Sequence, residues 1–370
     1  MGKTVLITGG GGFIGSHLAD ELLKQGYQVR ALDSLSEQVH GPGKLRPAYL
    51  DQQVDLRVGD IRDREAVSAA LENVDAVFHF AARVGVGQSM YKVVDYTDTN
   101  VKGTAVLLEA LNKQPVEKLI VASSMSVYGE GLYRTPGGNP VTAERSLWQL
   151  RRGEWELRGP EGALLTPVPT PESKSPALAS VYALSKYDQE QMCLIWGRAY
   201  NVPTAALRFF NAYGERQALS NPYTGVLAIF ASRILNGNPP LLFEDGLQRR
   251  DFVHVKDVAR ACRLALEQPT AAGLTINVGS GRSVTVREIA ALAAEVMGLP
   301  IEPVITGEYR KGDIRHCFAD LSLANQVLGY RPQVSLEQGM AALAEWLRTQ
   351  PAVDRIEQAS QELRARGLTL

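Results

Sequence analysis

The sequence lacks most of what would mark a secreted, membrane-bound or polyanion-binding protein. It has three cysteines, Cys193, Cys262 and Cys317, with no CxxC spacing. That set excludes a disulfide framework and a cysteine zinc site, and points to a reducing compartment. No apolar run approaches the roughly 18 residues of a membrane helix. Neither sign of charge dominates, with 39 Lys and Arg against 40 Asp and Glu, so nothing favours nucleic acid or an anionic membrane as partner. Met1-Gly2-Lys3-Thr4 leads straight into a strand pattern, so a cytoplasmic protein without a signal peptide is expected. The 45% apolar and 21% charged content excludes a disordered chain. Glycine is the unusual residue: 34 in all, six of them within the first 15 positions.

The first 125 residues alternate short apolar runs with longer amphipathic stretches. Strands are expected at 5–7, 28–32, 54–58, 76–80 and 119–122, and helices over 13–25, 64–72 and 91–113. This alternation builds βαβ units around a parallel sheet, and near-continuous apolar strands fit burial on both faces. A proline-rich insertion over 130–176, with a short helix near 143–150, is too long for an ordinary connection. A helix over 180–200 and a strand at 204–209 follow. Further helices are expected near 225–236, 256–268, 285–297, 322–328 and 335–349. The last 20 residues are polar and amphipathic, either a docked helix or a loose tail.

Thr8-Gly9-Gly10-Gly11-Gly12-Phe13-Ile14-Gly15 follows the first strand and opens the first helix. The spacing Gly9-x-x-Gly12-x-x-Gly15 lets the backbone turn tightly and approach a pyrophosphate with no Cβ in the way. The helix N-terminus then offers free N–H groups and partial positive charge. A flexible turn would use glycines too, but Asp33 ends the second strand. A carboxylate there accepts both adenosine ribose hydroxyls and repels a 2′-phosphate. No Lys or Arg follows until Lys44, which favours NAD over NADP. Gly59-Asp60-Ile61 follows the third strand, where Asp60 either bonds the adenine amino group or closes a plain turn.

The expected fold class is therefore α/β: a Rossmann-type doubly wound parallel sheet with a smaller C-terminal α/β substrate lobe. Residues 1–210 are assigned to the NAD-binding domain, which carries the insertion 130–176. Residues 211–350 are assigned to the substrate lobe, interleaved with the first domain, and 351–370 to the tail.

Tyr182-Ala183-Leu184-Ser185-Lys186 puts Tyr and Lys at i and i+4, on one helix face. A phenol with a pKa of about 10 is a poor base at neutral pH. A nearby ammonium and the positive nicotinamide ring favour the phenolate by roughly 1–3 units, making Tyr182 a usable general base. Simple helix packing would explain a lone YxxxK. However, Val121-Ala122-Ser123-Ser124-Met125-Ser126-Val127-Tyr128-Gly129 puts hydroxyls at the carboxyl edge of a parallel sheet, where ligands bind. Ser124 can share a hydrogen bond with the oxygen that Tyr182 deprotonates, while Ser123 and Ser126 either join it or cap a turn.

On these motifs the chain resembles the extended short-chain dehydrogenase/reductases, specifically their NAD-dependent nucleotide-sugar epimerases and dehydratases. The resemblance runs from Lys3 to about Leu347. His79-Phe80-Ala81-Ala82 matches the family's fourth-strand segment beside the cofactor, and Asn100 its structural Asn on the long helix. Arg208-Phe209-Phe210-Asn211-Ala212-Tyr213-Gly214 resembles the motif whose Asn meets the nucleotide diphosphate. Arg250-Asp251-Phe252-Val253-His254 resembles the segment whose Arg binds that diphosphate. Arg310-Lys311-Gly312-Asp313 resembles the segment supplying a second phosphate Arg and a ribose-binding Asp. Guanidiniums fork onto phosphate oxygens, where Lys acts as a point charge; surface ion pairs with Asp251 and Asp313 are the competing reading. Asp257 reads as a helix cap.

The resemblance thus implies Ser124, Tyr182 and Lys186 as catalytic. NAD contacts fall to Gly9, Gly12, Phe13, Ile14, Gly15, Asp33, Asp60 and Ile61, and to Ala81, Ala82, Asn100, Tyr182 and Lys186. Substrate contacts fall to Val86, Ser124, Ser126, Tyr182 and Asn211, and to Val226, Phe243, Arg250, Arg310 and Asp313. No metal is implied. The partner implied is a nucleotide-diphosphate sugar, with no nucleic acid and no membrane. A homodimer is expected through the second apolar faces of helices 91–113 and 180–200.

Sugar 4,6-dehydratases carry an Asp-Glu pair after the Ser motif, and sugar-acid decarboxylases a Glu. This chain has Met125-Ser126, neither an acid nor a base at neutral pH. Deoxysugar epimerase-reductases use a Cys at this strand end, and none of the three cysteines lies there. What remains is oxidation and re-reduction at one carbon by Tyr, Ser, Lys and NAD, hence a C4 epimerase.

Three segments resemble the dTDP-L-rhamnose 4-epimerases, which interconvert that sugar with dTDP-6-deoxy-L-talose. They are Tyr128-Gly129-Glu130-Gly131-Leu132-Tyr133-Arg134, Ala218-Leu219-Ser220-Asn221-Pro222-Tyr223-Thr224-Gly225-Val226 and Gly312-Asp313-Ile314-Arg315-His316-Cys317. Many of that group hold cysteine pairs in the insertion. Here Gly137-Gly138 and Gly159-Pro160 replace them, so packing around Trp148 and Trp155 is expected to hold it. A UDP-hexose or UDP-hexuronate 4-epimerase uses the same residues, although Val84 stands where galactose epimerases tend to carry Lys. A nucleotide-sugar dehydrogenase would release NADH each turnover. A non-catalytic NAD-sensing protein typically loses the Tyr or Lys that this chain keeps.

Overall fold

The apolar runs become the strands of one parallel sheet. The computed structural model describes residues 2–218, 225–350 and 356–369. Its seven principal strands are β1 (Thr4–Thr8), β2 (Gln28–Asp33), β3 (Asp55–Val58), β4 (Ala76–His79), β5 (Lys118–Ser124), β6 (Thr204–Phe209) and β7 (Thr275–Val278). They lie in the order β7-β6-β5-β4-β1-β2-β3, every pair parallel. All residues of β5 and β6 are buried, as central strands covered on both faces require. Between β1 and β4 the strand order reverses, the switch point at which such sheets bind ligands.

The helices used below are α1 (Phe13–Lys24), α2 (Arg64–Ala70), α3 (Gly103–Leu111), α4 (Val181–Tyr200), α5 (Val226–Leu235), α6 (Val255–Glu267), α7 (Val286–Met297), α8 (Leu336–Leu347) and α9 (Ile356–Ala365), with shorter ones between them. Alternation along β1 sends Val5 and Ile7 to one face with Leu18 of α1 and Cys262 of α6. It sends Leu6 to the other, with Val67, Leu107 and Cys193 of α2, α3 and α4. A third core joins α5, α7 and α8 through Phe230, Ile289 and Met340. No helix among the described residues is long and apolar enough to cross a membrane.

Two expectations change and one alternative is settled. The single helix over 91–113 is divided into Val93–Tyr96, a π-helix at Thr97–Lys102 and α3. The wider turn carries buried Asn100, whose side chain bonds Arg83 N–H at 2.7 Å and Ser185 Oγ at 2.9 Å. Gly103 follows because a Cβ there would lie 2.6 Å from Ile61 Cγ2. The tail docks, with α9 against the body of the protein.

The insertion, finally, is not held by its tryptophans. Trp148 is 65% exposed under Arg152, and Trp155, half-buried, lies with its ring 6.3 Å from that of Tyr309. Strands Leu132–Arg134, Pro140–Val141 and Thr166–Val168 form a small sheet over Tyr133, Leu157 and Leu165. Ions fasten it. Fully buried Arg315 pairs with Glu156, Glu244 (2.8 Å) and Asp245 (2.7 Å), and Arg145 pairs with Glu130 (3.4 Å) and Glu244 (2.6 Å). His316 Nδ1 accepts from Arg249 N–H at 3.0 Å, so its Nε2–H donates to Glu156 at 3.0 Å.

Removing one partner of a buried pair strands the others. Arg315→Met is expected to lower stability by about 3–5 kcal/mol in guanidinium melts, with early proteolysis in 130–176; an unchanged melt would contradict the anchoring. His316, and then Arg315, hold the Glu156 carboxyl down to about 2 against an ordinary 4.5. Its contribution is therefore complete above pH 4.5 and lost as pH falls through about 2. Glu156→Gln is expected to remove that part of the acid dependence, measured by thermal melts across this range.

Candidate active site

One cavity of about 710 Å³ runs along the carboxyl ends of the strands, from the glycine loop past β5 to Arg310. At its first end the loop after β1 is packed too tightly for side chains. Gly9 has φ +74°, and a Cβ on Gly15 would sit 2.3 Å from Gly9 O. Asp33 Oδ2 accepts from Gly11 N–H and Oδ1 from Leu35 N–H, both at 2.9 Å, leaving lone pairs for ribose hydroxyls. Gly12, Phe13, Ile14, Ile61, Ala81 and Ala82 also line the cavity. This backbone cradle and its carboxylate fit a dinucleotide.

Two of the expected cofactor residues are already engaged by the protein. Asp60 faces the cavity, but Arg62 forks onto its carboxylate at 2.9 and 2.7 Å. Asn100 does not line the cavity: its amide is engaged by Arg83 and Ser185, so it positions the wall from behind.

At the middle, the rotation of α4 is set by a buried ion pair. Arg208 on β6 forks onto Glu190 at 2.9 and 2.7 Å, and Ser123 donates to the same carboxylate at 2.6 Å. Ser123 thus ties β5 to α4 while also lining the cavity. Ser180 caps α4 by accepting Ala183 N–H at 3.1 Å. This turns Tyr182 and Lys186 to the cavity, across from Ser124 at the end of β5. Ser124 Oγ accepts from Ser126 N–H and Oγ–H at 3.1 and 2.9 Å, so it caps the turn Met125–Tyr128 and faces the cavity as well. Tyr182 is held by its N–H on Ser89 Oγ at 3.0 Å and by Tyr96, edge-on at 6.4 Å.

Burial raises the Tyr182 phenol above its ordinary value, and Ser124 pulls it partly back. Lys186 donates to Gln189 Oε1 at 2.7 Å, and burial lowers it to about 8. Burial thus outweighs the Ser124 hydrogen bond that favours the phenolate. The arrangement desolvates both Tyr182 and Lys186.

At the far end lie Val86, Asn211, Val226, Phe243, Arg250, Arg310 and Asp313. Arg250 makes no ion pair with Asp251. Its guanidinium donates to the carbonyls of Arg249, Ile314 and Arg315, and burial holds it below its ordinary pKa. Asp251 is engaged by Ser280, Gly281 and Ala319. Arg310 does pair with Asp313, at 2.9 Å, and lies 4.5 Å over the Phe243 ring. Asp257, expected as a cap, instead receives Gln333 and Val334 N–H groups at 2.9 Å, while His254 caps α6. Positions 219–224 of the quoted segment lie outside the described residues.

Sequence reasoning missed Gln217 and Gln248, cavity-lining residues whose Oε1 atoms are buried without a partner among the described residues. The signal for Gln248 was available, since it precedes Arg250 by two residues and so shares its strand face. Leu363, Leu368 and Thr369 also reach the cavity, from the tail; nothing local in the sequence marked them.

Comparisons agree with this geometry. Residues 5–148 and 162–279 match the model of the NAD dependent epimerase/dehydratase family. The dTDP-L-rhamnose 4-epimerase of Burkholderia thailandensis is 35% identical over 352 residues, 94% of this chain and 95% of that protein. The crystal structure of UDP-glucose 4-epimerase with UDP-glucose from Thermotoga maritima superposes with a TM-score of 0.76 at 33% identity, covering 93% of this chain and 98% of that one. The UDP-glucose 4-epimerase of Thermus thermophilus in complex with NAD gives 0.73 at 31%, covering 94% and 100%. The glycine cradle, the Tyr-Lys helix and these matches have one meaning: the chain belongs to the NAD dependent epimerase/dehydratase family, and NAD is its cofactor.

Proposed function

We propose that the protein is a nucleotide-sugar 4-epimerase interconverting dTDP-L-rhamnose and dTDP-6-deoxy-L-talose. The observation that carries the reading is the chemistry of the reacting end. Tyr182 and Ser124 face it, Lys186 lies one turn on, and Met125 and Ser126 stand where an eliminating enzyme needs carboxylates. The acids on the cavity wall, Asp33, Asp60, Glu308 and Asp313, belong to segments at its two ends.

In this reading Gly9 to Gly15, Asp33, Ile61, Ala81, Ala82 and Lys186 hold the cofactor. NAD, when bound, supplies the acceptor and donor of the C4 hydride. Ser124 orients the 4-hydroxyl and Tyr182 takes its proton. Arg250, a half-buried cation with no carboxylate paired to it among the described residues, anchors the diphosphate together with Arg310. The 4-keto sugar swings about that anchor, and Tyr182 returns the proton to O4 on the other face.

The sugar assignment draws on the resemblance of Gly312 to Cys317, on the Burkholderia relative and on the apolar Val84 and Val86 at the cavity wall. UDP-glucose is the second reading, favoured by the Thermotoga structure. The reading includes a cytoplasmic homodimer, supported by three buried free thiols and by exposed Val94, Leu184, Ile195 and Tyr200 on Val93–Tyr96 and α4.

NMR of the protein with a panel of dTDP-, UDP- and GDP-sugars is expected to show the dTDP-rhamnose/talose pair equilibrating without added NAD and without net growth at 340 nm. Conversion of UDP-glucose alone would replace this substrate. Tyr182→Phe is expected to lose turnover by about 10²–10⁴-fold while nucleotide content by HPLC stays that of the parent; full retained activity would remove Tyr182 from its role.

A further inference from the structure

We infer that residues 356–369 complete the sugar end of the cavity, and that Leu363 is a specificity-determining residue, the side chain they bring against the sugar. The inference rests on the 4-epimerase reading for the place of the sugar in the cavity and for its 4-keto intermediate.

Among the described side chains of α9, Leu363 is the deeply buried one, 7% exposed, between exposed Gln361 and Arg364. It packs on Gly87, where a Cβ would lie 3.3 Å from Leu363 Cδ2. Gly87 belongs to the one-turn helix Val86–Ser89, and Ser89 is the residue that accepts Tyr182 N–H. Leu363 is thus one short helix away from the reacting phenol. Both Val86 and Leu363 line the cavity.

The chain then reverses. Gly367 has φ +64°, Leu368 N–H donates to Leu363 O at 3.0 Å and Gly367 N–H to Arg364 O at 2.9 Å. This paired helix stop brings Leu368 back toward the turn that carries Leu363, and Leu368 also lines the cavity. Lys311 N–H donates to Leu368 O at 2.9 Å, and Thr369 bridges to Arg310, the proposed phosphate ligand. On the other lip, Tyr91 Oη donates to Glu362 at 3.0 Å and Arg366 lies 4.3 Å over the Tyr91 ring. Arg364 pairs with Glu308 at 2.7 Å. The segment therefore ties the lip beside Tyr182 to the lip that carries Arg310.

A wall at this place has a chemical task. While it turns, the 4-keto sugar is held only through its nucleotide diphosphate, and its escape would leave the cofactor reduced. Val84, Val86, Leu363 and Leu368 offer it an apolar surface, which suits a C6 methyl and gives no hydrogen bond to a C6 hydroxyl or carboxylate.

The test uses full-length Leu363→Ser and Leu363→Ala, and a chain ending at Gln350. Epimerisation is followed by NMR, dTDP affinity by calorimetry, and reduced cofactor by absorbance at 340 nm. Leu363→Ser is expected to lower kcat/KM about tenfold, mostly through KM, as loss of one apolar contact does. Affinity for dTDP, which has no sugar, stays unchanged, as does NAD content. Absorbance at 340 nm rises as keto sugar leaves, and the shortened chain shows the larger rise. Parental kcat/KM in the Leu363 variants overturns the inference, and so does a parallel loss of dTDP affinity and melting temperature. If the parent turns over UDP-glucose instead, the dTDP-rhamnose reading fails and the same variants decide the inference on that sugar. If it turns over no nucleotide sugar, both fall.

Discussion

Lys186 is an ammonium taken out of water, and the arrangement around it decides where much of the fold must sit. Its Nζ donates to Gln189, whose amide reaches Thr104 Oγ1 at 3.0 Å. Thr104 donates to Asn100 O and accepts from His79 Nε2 at 2.8 Å, while His79 Nδ1 accepts from Thr8 at 2.8 Å. Thr8 Oγ1 in turn receives the N–H groups of Phe80 and Ala81 at 3.1 Å. Each donor meets an acceptor only if His79 is neutral, and burial with Lys186 alongside lowers its pKa to about 3. A half-satisfied network would cost more than an apolar core, so β1, β4, α3, the π-helix and α4 are mutually registered by it. Catalytic helix and cofactor wall are thereby fixed to the same scaffold.

The cavity built on that scaffold separates its tasks along its length. Backbone and a carboxylate occupy the dinucleotide end, where close approach matters more than side-chain chemistry. The middle is sparse, with a phenol, a hydroxyl and a desolvated cation. The far end holds two guanidiniums in different states: Arg250 is bonded only to carbonyls and Arg310 is already paired with Asp313. An incoming diphosphate would satisfy the first outright and compete for the second.

Local signals were legible and distant ones were not. The glycine loop, the alternation of strands and helices, and the Tyr-Lys spacing depend on residues close in sequence, and the structure reproduces α4 and β6 to within a residue. The π-helix was hidden because its cause, Asn100 bonding Ser185, spans the space between two helices. The hold on the insertion was hidden for the same reason. Arg315 meets Glu156 and Arg145 meets Glu244, partners that no periodicity connects, whereas Trp148 and Trp155 drew notice by residue type alone. Gln217 and the tail's contribution at Leu363 likewise exist only once the chain has folded.

The central claim is that configuration at C4 is inverted by removing and returning one hydrogen inside the cavity. Substrate carrying deuterium at C4, equilibrated with the enzyme in ordinary water and followed by NMR and mass spectrometry, tests it directly. The account predicts full deuterium at C4 in both epimers. Loss of that deuterium to solvent hydrogen, or uptake of solvent deuterium at C4 in the reverse labelling, would contradict it.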